Sequence, residues 1–465
     1  MKSYNVRIWG IRQRDSKSAP FQVRWTVNGK VAQEPFATKT LADARRSQLV
    51  TAQRAGEAFD VASGLPVSEL REASSPTWYD HACAYALMKW PASAAKHRAG
   101  IAEALAAVTA SFVSTRRGAP DRAVLRSALQ EWAFRMVLDP ETGEHAPRKD
   151  VESPPSEVWV ALEWVASASL KVVDVAESDV VRAALGTLSK TLAGKKAADN
   201  TFRRKRAVLS NAFRYAIERD LLAFNPLDRI DWAPPETTDE VDFEYVPGPE
   251  QAGELLAAVG ASGPRGRHLH AFFGCMYYAA MRPAEVAGLK RSHCKLPEQG
   301  WGELVLSKSR PEVGAGWTDD GKSYEERGLK RRARKATRPV PIPPVLVALL
   351  RGHLDEHGTA PDGRLFRAVR GGRVRSTEYT EVWQAARIEA LSAEEVRTPL
   401  AKVPYSLRHA GVSLWIKAGV DPVEVARRAG HSPAVLWKFY AKILRGHQDA
   451  SNRMIDAALE VRRDA

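Results

Sequence analysis

The chain has 465 residues, of which 44% are hydrophobic, and it carries a formal net charge of +14 at pH 7. This length exceeds what one hydrophobic core usually organises, so we expect about three domains. No run of about 18 apolar residues occurs, which argues against a membrane-spanning helix, and Met1 to Asp15 lacks the apolar core of a signal peptide. The cysteines are few, odd in number and without metal-ligand spacing, so we expect a reduced, cytoplasmic compartment and no bound metal.

Residues 1–72 are predicted to form a small sheet followed by a helix. The runs from Asn5 to Gly10 and from Phe21 to Val27 alternate with period two, which is typical of strands. Asn28-Gly29 then signals a tight hairpin turn, and Thr40 to Phe59 has the spacing of an amphipathic helix. Basic residues on the sheet are candidate nucleic-acid contacts, and a β-rich cap without a binding role is the alternative. These candidates include Arg7 and Arg24.

Residues 73–240 are predicted to be a mainly α-helical domain, which begins near the end of a linker from Pro66 to Pro76. Ile101 to Val113 and Val158 to Leu170 have helical apolar spacing. Between them, Asp139 to Ser156 is rich in proline and charge, which predicts a loop.

A basic amphipathic helix is predicted from Thr201 to Asp220. Its basic residues cluster near its start, and clustering favours a polyanionic partner such as DNA over a merely basic protein. A solvated basic face remains the alternative interpretation. The cluster consists of Arg203, Arg204, Lys205 and Arg206.

A second linker, from Asp231 to Glu250, leads into residues 241–465, where helices flank a strand-rich middle. Leu304 to Leu306 and Arg338 to Ile342 are predicted strands on either side of a long polar excursion. A second basic cluster in this region adds candidate DNA contacts, Arg331 and Arg332. The sequence therefore predicts a multidomain, mainly α-helical protein with small β-sheets and an α+β C-terminal domain.

The polar excursion contains one misleading motif. Gly316 to Ser323 matches the pattern G-x-x-x-x-G-K-S of a nucleotide phosphate-binding loop. That loop has to follow a buried strand and begin a helix, and neither signal is present here. Asp319 and Asp320 would also repel a triphosphate. We therefore assign the motif to a hairpin excursion.

Three residues near the C-terminus have the chemistry of phosphoryl transfer. Arg408 can hold a phosphate through two parallel hydrogen bonds, and His431 can add another donor. Tyr440 lies nine residues after His431 and 32 after Arg408, and its hydroxyl can form an ester with phosphorus. The set indicates covalent chemistry on a nucleic-acid backbone.

Residues 241–465 resemble the tyrosine recombinases, the family of phage and plasmid integrases. Tyr277 to Val286 looks like the family's first arginine motif, with Ala280-Met281 where the family more often has Gly-Leu before Arg282. Ser406 to His409 looks like the second arginine motif, Ala429 to Ser432 matches the histidine motif, and Phe439-Tyr440 matches the nucleophile motif. Arginine and alanine usage suggests a GC-rich, actinobacterial-like source.

The resemblance implies a role for each matching residue. Arg282 and Arg408 would hold the scissile phosphate, and His431 would donate to it. Tyr440 would attack and form a 3′-phosphotyrosine. Tyr405 stands where the family usually has histidine. It would orient the reacting groups or assist the deprotonation of Tyr440, and the identity of the general base stays open.

The family also places a lysine in a β-hairpin, as the acid that protonates the leaving oxygen. Lys330 is the first candidate for this position and Lys308 is the alternative. His409 is interpreted as structural rather than catalytic.

The resemblance further implies a site-specific recombinase that integrates or excises a mobile element, a viral genome included, through a Holliday junction. Its partner would be double-stranded DNA at attachment sites, bound by a homotetramer, with an accessory directionality factor as a further partner. No cofactor and no membrane are expected. Residues 1–72 would bind arm-type DNA, residues 73–240 core-type DNA, and residues 241–465 would catalyse. The protein would be cytoplasmic, and on the nucleoid when bound.

Two other interpretations are kept. Val423 to Ser432 followed by Pro433 to Tyr440 also has the pattern of a helix-turn-helix, as in a transcription regulator. A recombinase homologue without catalytic activity, which binds and organises DNA, is the other. Covalent chemistry separates both from an active recombinase, because all three bind DNA.

Overall fold

The computed structural model of the protein describes residues 1–233, 242–329 and 336–445, with residues 452–453, 455–456 and 459. Lys330, Arg331 and Arg332 therefore lie outside the described residues. The chain divides into two compact units, Met1–Pro235 and Glu236–Ala465. About 53% of it is helical, which confirms the prediction of a mainly α-helical protein with small sheets.

The first unit begins with an antiparallel sheet, in which β4 is the central strand and pairs with β2, β3 and β5. The predicted turn lies between β4 and β5, where Asn28 and Gly29 have φ values of 52° and 85°. Trp25 packs in the core of the sheet, and its indole donates to the Gly64 carbonyl at 2.6 Å. The strands are β1 Lys2–Ser3, β2 Val6–Ile8, β3 Arg12–Gln13, β4 Phe21–Val27, β5 Lys30–Phe36 and β6 Phe59–Asp60.

Helix α1, Lys39–Arg54, covers this sheet and buries Ala42 and Leu49 against it. It begins after Thr38, whose hydroxyl accepts from the Leu41 amide. The helix ends before the predicted limit of Phe59, because the chain turns at Gly56, where φ is 71°. Phe59 belongs instead to strand β6.

The rest of the first unit is mainly helical, as predicted. The predicted loop from Asp139 to Ser156 is wrong in part, because it includes most of a hairpin, β7 Met136–Leu138 with β8 His145–Pro147, and the short helix α6. Strands of three residues are too short to produce a detectable alternation in sequence. The helices are α2 Val67–Ser74, α3 Trp78–Lys89, α4 Ala95–Thr109, α5 Arg122–Ser127, α6 Arg148–Val151, α7 Ser156–Ala168, α8 Ser178–Leu188 and α9 Asp199–Glu218.

The second unit contains a three-stranded antiparallel sheet in the order β13-β10-β9. Leu304 on β10 lies opposite Val340 on β13, so the predicted strand pair is confirmed. Two short strands, β11 and β12, pair at the base of the polar excursion. The strands are β9 Cys294–Lys295, β10 Gly302–Leu306, β11 Lys308–Ser309, β12 Arg327–Gly328 and β13 Arg338–Ile342.

The polar excursion has no helix after Ser323 in its described part. Lys322, the lysine of the loop-like motif, bonds to the carboxylate of Asp320 at 2.6 Å. The geometry is that of an irregular loop between paired strands, without the strand and helix that a nucleotide phosphate loop connects.

The helices of the second unit surround α11 and α16. Gly411 on α16 lies against the Tyr277 carbonyl at the end of α11, and a Cβ there would overlap that oxygen. This close approach brings the start of α16 to the segment after α11. The helices are α10 Pro249–Ala261, α11 Gly263–Tyr278, α12 Pro283–Val286, α13 Pro344–His357, α14 Ser376–Ala390, α15 Ala393–Arg397, α16 Ser406–Lys417, α17 Pro422–Ala429 and α18 Pro433–Arg445. Among the described residues, no helix has both the length and the apolar composition needed to cross a membrane.

Candidate active site

Arg408 lies at the centre of a cluster of charged and aromatic side chains in the second unit. It is 1% exposed and donates to the carbonyl of Ala280, to that of Ala429 at 2.7 Å, and to Nε2 of His431 at 2.8 Å. Burial lowers its pKa from the usual value. The guanidinium therefore joins α16 to the segments that follow α11 and α17.

Arg282 immediately precedes α12 and lies beside Arg408. Its guanidinium donates to Glu285 at 3.0 Å and to the Gly430 carbonyl at 3.2 Å. Because its side chain is 24% exposed, while Arg408 is buried, Arg282 is the guanidinium more accessible to a ligand from solvent.

A second arginine, Arg338, holds the other side of Glu285. Its two terminal nitrogens donate to the two carboxylate oxygens at 3.1 and 2.8 Å. Burial by itself raises the pKa of Glu285, but Arg338, Arg282 and Arg408 outweigh it and lower this pKa to about 2. Glu285 therefore stays ionised and fixes the surrounding guanidinium groups.

Arg338 was not among the residues predicted for the site. A signal exists in the strand pattern, because Val340 and Ile342 on the same strand face are fully buried. A charged residue at an inward strand position needs a buried partner of opposite charge. The sequence could not identify that partner.

His431 is held in the turn between α17 and α18, where Gly430 adopts the left-handed conformation with φ of 66°. Burial and the neighbouring cations Arg408 and Arg282 lower the pKa of His431 to about 3, so the ring is neutral at pH 7. Since arginine can only donate, Nε2 accepts from Arg408 and the proton resides on Nδ1. That buried N–H has no hydrogen-bond partner among the described residues.

Tyr440 is 1% exposed and lies in this cluster. Its hydroxyl is 2.8 Å from Nδ1 of His409. Burial raises the pKa of Tyr440, while the charges of Arg408 and Arg282 act in the opposite direction. The helical conformation of α18 is interrupted at this residue, with φ of −121° and ψ of 17°.

Tyr405 precedes α16 and contacts the same histidine. Its ring centroid is 5.1 Å from that of His409, and the guanidinium carbon of Arg408 is 6.0 Å from the Tyr405 ring. His409 is thus enclosed by two tyrosine rings. Sequence reasoning interpreted His409 as structural, and its bond to the Tyr440 hydroxyl was not foreseen.

The structure thus brings together five of the six residues predicted for catalysis: Arg282, Tyr405, Arg408, His431 and Tyr440. The sixth, Lys330, lies outside the described residues. The alternative lysine, Lys308, begins β11, and its side chain is 59% exposed and bonds to Glu326 at 2.5 Å. Two residues later, the Arg310 amide donates to the Ala284 carbonyl at 2.9 Å, which holds this strand beside the segment that follows Arg282.

The basic cluster of α9 lies in the first unit, and its four side chains differ in exposure. Arg203 and Arg204 are exposed, and Arg204 bonds to Glu103 at 3.0 Å. Lys205 is 12% exposed and bonds to the same carboxylate at 2.9 Å. Arg206 stacks on the ring of Trp232, 3.9 Å from its centroid.

Arg7 and Arg24 lie on the face of the N-terminal sheet opposite its core. Arg7 pairs in register with Thr26, two residues after Arg24 on the same face. Arg7 is exposed, whereas Arg24 is half-buried and packs over the Trp9 ring at 5.4 Å. Arg331 and Arg332 lie outside the described residues.

A metal-binding cluster of three or more His, Cys, Asp or Glu side chains was not found in the part of the chain that the structure describes. The polar groups at the site are guanidinium, imidazole, phenol and carboxylate. Their arrangement is suited to holding an anion next to a phenolic nucleophile.

No family model matches this sequence, and no curated protein matches it. Among solved structures, the chain is similar to the Tn1549 transposon integrase in complex with a circular intermediate DNA. The identity is 15% and the TM-score 0.46, over 63% of this chain and 91% of that one. It is similar to the XerH site-specific recombinase bound to its difH substrate, with 12% identity and a TM-score of 0.46, over 77% of this chain and 90% of that one.

The lambda integrase bound to DNA is a third similar structure, with 14% identity and a TM-score of 0.37, over 54% of this chain and 75% of that one. These neighbours are tyrosine recombinases and integrases. Likeness at this level carries no information about activity, which has to be judged from the side chains of this chain.

Proposed function

We propose that this chain is a tyrosine-type site-specific DNA recombinase. The observation that carries the proposal is a buried tyrosine hydroxyl beside an excess of fixed positive charge. Arg282, Arg338 and Arg408 surround a single carboxylate, that of Glu285, and Tyr440 is buried in the same cluster. Unbalanced buried charge is unfavourable without a counterion, and the phosphodiester group of DNA is an anion that could balance it.

The neutral His431 supports a phosphate ligand independently. Its Nδ1–H is buried without an acceptor among the described residues, and an unsatisfied buried donor costs about 1–3 kcal/mol. A phosphate oxygen would accept from it. A neutral donor also suits this role, because it adds no further charge to that of the arginines.

The proposed reaction begins with attack of the Tyr440 oxygen on the scissile phosphorus. The bond between phosphorus and the 5′-oxygen breaks, which leaves a 3′-phosphotyrosine and a 5′-hydroxyl. Arg282 and Arg408 offset the charge that builds on the non-bridging oxygens. Their guanidinium charge takes the place of a metal ion, and the phosphotyrosine ester conserves the bond energy for rejoining without ATP.

The leaving 5′-oxygen needs a proton, and a hairpin lysine would supply it. Lys330 is proposed for this role, with Lys308 as the second candidate. One observation favours Lys308: the backbone bond from Arg310 to Ala284 holds its strand next to the segment after Arg282. Lys308 would have to leave Glu326 to reach the phosphate.

The wider proposal is an integrase of a mobile element, with double-stranded attachment-site DNA as substrate and four protomers that exchange strands through a Holliday junction. Residues 1–72 would bind arm-type DNA, residues 73–240 core-type DNA, and residues 241–465 would carry out catalysis. An accessory directionality factor would bias integration or excision. Exposed basic residues, Arg7 and Arg203 among them, support DNA contacts outside the catalytic site.

A DNA-binding regulator is the second candidate, because α17 and α18 are consecutive helices joined by a short turn and Trp437 on α18 is 54% exposed. A recombinase homologue without activity is the third. In a regulator, Tyr440 would be expected at the DNA-facing surface, but it is buried and bonded to His409. The burial favours the enzyme.

The test is a suicide-substrate assay with the full chain. Nicked duplexes from the flanks of its own gene are mixed with the protein without metal or ATP, and the products are separated on a denaturing gel. We expect a covalent protein–DNA adduct that is lost in Tyr440→Phe and retained in Tyr245→Phe, a change at a tyrosine outside the site. Sequence-specific binding without an adduct would contradict the proposal and favour the regulator or the inactive homologue.

A further inference from the structure

We propose that His409 is the general base of this site, which takes the proton of Tyr440 as its oxygen bonds to phosphorus. The inference rests on the recombinase function proposed above and assigns the role that Tyr405 left open. It begins from one contact: within the described residues, the partner of the Tyr440 hydroxyl is Nδ1 of His409, at 2.8 Å.

The direction of this hydrogen bond follows from the groups that form it. A buried phenol usually donates its proton to an acceptor, and a neutral imidazole has one nitrogen with a free lone pair. Burial and the charge of Arg408 lower the pKa of His409 to about 4, so the ring is neutral at pH 7. The phenol O–H therefore donates to Nδ1, and the donor–acceptor distance is already suitable for proton transfer.

Other groups near Tyr440 are poorer bases. Arg408 and Arg282 have no lone pair to offer. His431 accepts from Arg408 through Nε2, so its own lone pair is occupied. Tyr405 contacts His409 through its ring, at 5.1 Å between centroids, so it positions the base.

The proposed step balances in atoms and charge. As the bond between the Tyr440 oxygen and phosphorus forms, the phenol proton moves to Nδ1 of His409. The bond from phosphorus to the 5′-oxygen breaks, and that oxygen takes a proton from the hairpin lysine. In the rejoining step the 5′-hydroxyl attacks phosphorus and gives its proton back to the hairpin lysine, while the His409 imidazolium returns its proton to the departing tyrosine oxygen.

The substrate itself would make His409 basic enough. Without DNA, burial and the charge of Arg408 disfavour an imidazolium here. A bound phosphodiester brings a negative charge, and further negative charge develops on its oxygens as phosphorus is attacked, so the imidazolium gains a counterion. The base would then act only when the scissile phosphate is in place, which protects the nucleophile from premature ionisation.

The test measures the single-turnover rate of adduct formation with the nicked duplex described above. In His409→Asn, the amide oxygen can still accept the bond from Tyr440 but cannot take its proton. We expect a decrease of about 100-fold or more, within the range for loss of a general base, and a similar decrease in His409→Ala. The matched control is His270→Asn on α11, for which we expect a rate within about twofold of the unmodified chain.

Two results would overturn the inference. One is a His409→Asn rate within about threefold of the unmodified chain, because the histidine would then only position the hydroxyl. If the variant does not fold, the pH–rate profile of the unmodified chain decides. We expect the rate to rise with pH through one ionisation and then to level off. The His431→Asn variant should show the same inflection. A rate that rises continuously towards the ordinary phenol pKa of about 10 would mean that no base assists.

This outcome is separable from failure of the proposed function. If the unmodified chain forms no adduct, the recombinase proposal fails. If the unmodified chain forms the adduct and His409→Asn forms it equally fast, only the assignment of the base fails.

Discussion

Arg338 and Glu285 form a bidentate ion pair from which solvent is almost fully excluded, with side-chain exposures of 1% and 3%. The pair joins strand β13 to helix α12, and Glu285 also holds the backbone amide of Arg282 at 2.9 Å. One carboxylate therefore fixes both the strand and the start of the helix that carries a proposed phosphate-binding arginine.

Replacement of this carboxylate should be strongly destabilising. In Glu285→Gln, the buried guanidinium of Arg338 and the partly exposed one of Arg282 lose their counterion, and we expect the free energy of unfolding to fall by about 3–5 kcal/mol. Glu303→Gln removes a more exposed pair with Lys295, 2.6 Å long, and should cost about 1 kcal/mol or less. Urea unfolding followed by tryptophan fluorescence measures both. Equal effects would mean that the buried pair has no special role.

Gly430 should not tolerate a side chain. Its φ of 66° is unfavourable for other residues, and a Cβ would overlap the Arg338 guanidinium. Gly430→Ala should therefore lose more stability than the roughly 1 kcal/mol of the backbone term, and it should slow adduct formation. Gly56, which follows α1, has a φ of 71° with open space around it, so Gly56→Ala isolates the cost of the left-handed backbone conformation. Equal losses of stability in the two variants would contradict the argument.

The second unit should lose stability as the pH falls below neutrality, because it buries neutral histidines. His268, His353 and His357 have mutual ring-centroid distances of 5.0–5.1 Å. Burial, with His353 and Arg265 nearby, lowers the pKa of His268 to about 3, and burial lowers that of His353 to about 4.

The direction of this change in stability with pH follows from proton uptake by the histidines. Below pH about 6.5, the unfolded chain binds protons that the folded chain does not, so stability is full above this pH and is lost as pH falls towards 4. Each histidine contributes a slope of up to about 1.4 kcal/mol per pH unit. Urea unfolding at pH 7.5, 6 and 5 should give a flatter curve for the double variant His268→Gln, His353→Gln than for the unmodified chain. Parallel curves would refute this origin of the pH dependence.

The hairpin lysine can be identified by changing the leaving group. A substrate with sulfur in place of the 5′-bridging oxygen has a leaving group that needs no proton. Loss of the general acid should therefore slow cleavage of the ordinary substrate by about 100-fold or more and leave cleavage of the sulfur substrate nearly unchanged. Lys308→Ala and Lys330→Ala are compared, and we expect one of them to show this pattern. Slow cleavage of both substrates in both variants would exclude an acid role for either lysine.

The basic residues of α9 should differ in how much each contributes to DNA affinity. Arg203→Ala and Arg204→Ala should weaken binding to all sequences alike and reduce the log–log salt slope by about 0.9 for each DNA phosphate that the protein no longer neutralises. Lys205 is 12% exposed and bonded to Glu103, so Lys205→Ala should change stability more than affinity. Fluorescence anisotropy in a salt titration measures the slopes. A slope unaffected by all three changes would remove α9 from the DNA-binding surface.

Features that depend on local sequence were predictable. The turn at Asn28-Gly29 and the pairing of Leu304 with Val340 follow from residue preference and alternation. The fixed spacing between Arg408, His431 and Tyr440 was likewise visible in the sequence, because Arg408 lies on α16, His431 in the turn after α17 and Tyr440 on α18.

The contacts that define the site chemically were not predictable, because they join distant positions. Glu285 and Arg338 are 53 residues apart, and His409 and Tyr440 are 31 apart. In the sequence, each of these residues could equally be an ordinary surface charge or an ordinary helix residue. The packing of α16 against α11, with no room for a side chain at Gly411, helps to bring these distant positions into one cluster.

The break in α18 has a mechanical consequence for the nucleophile. Helical geometry is interrupted at Tyr440, where φ is −121° and ψ is 17°, so the nucleophile lies at a kink between two helical segments. Rotation about two bonds at one residue can redirect the ring while the turn that carries His431 stays in place. The groups that would bind the anion therefore keep their positions, while the attacking tyrosine can change its orientation.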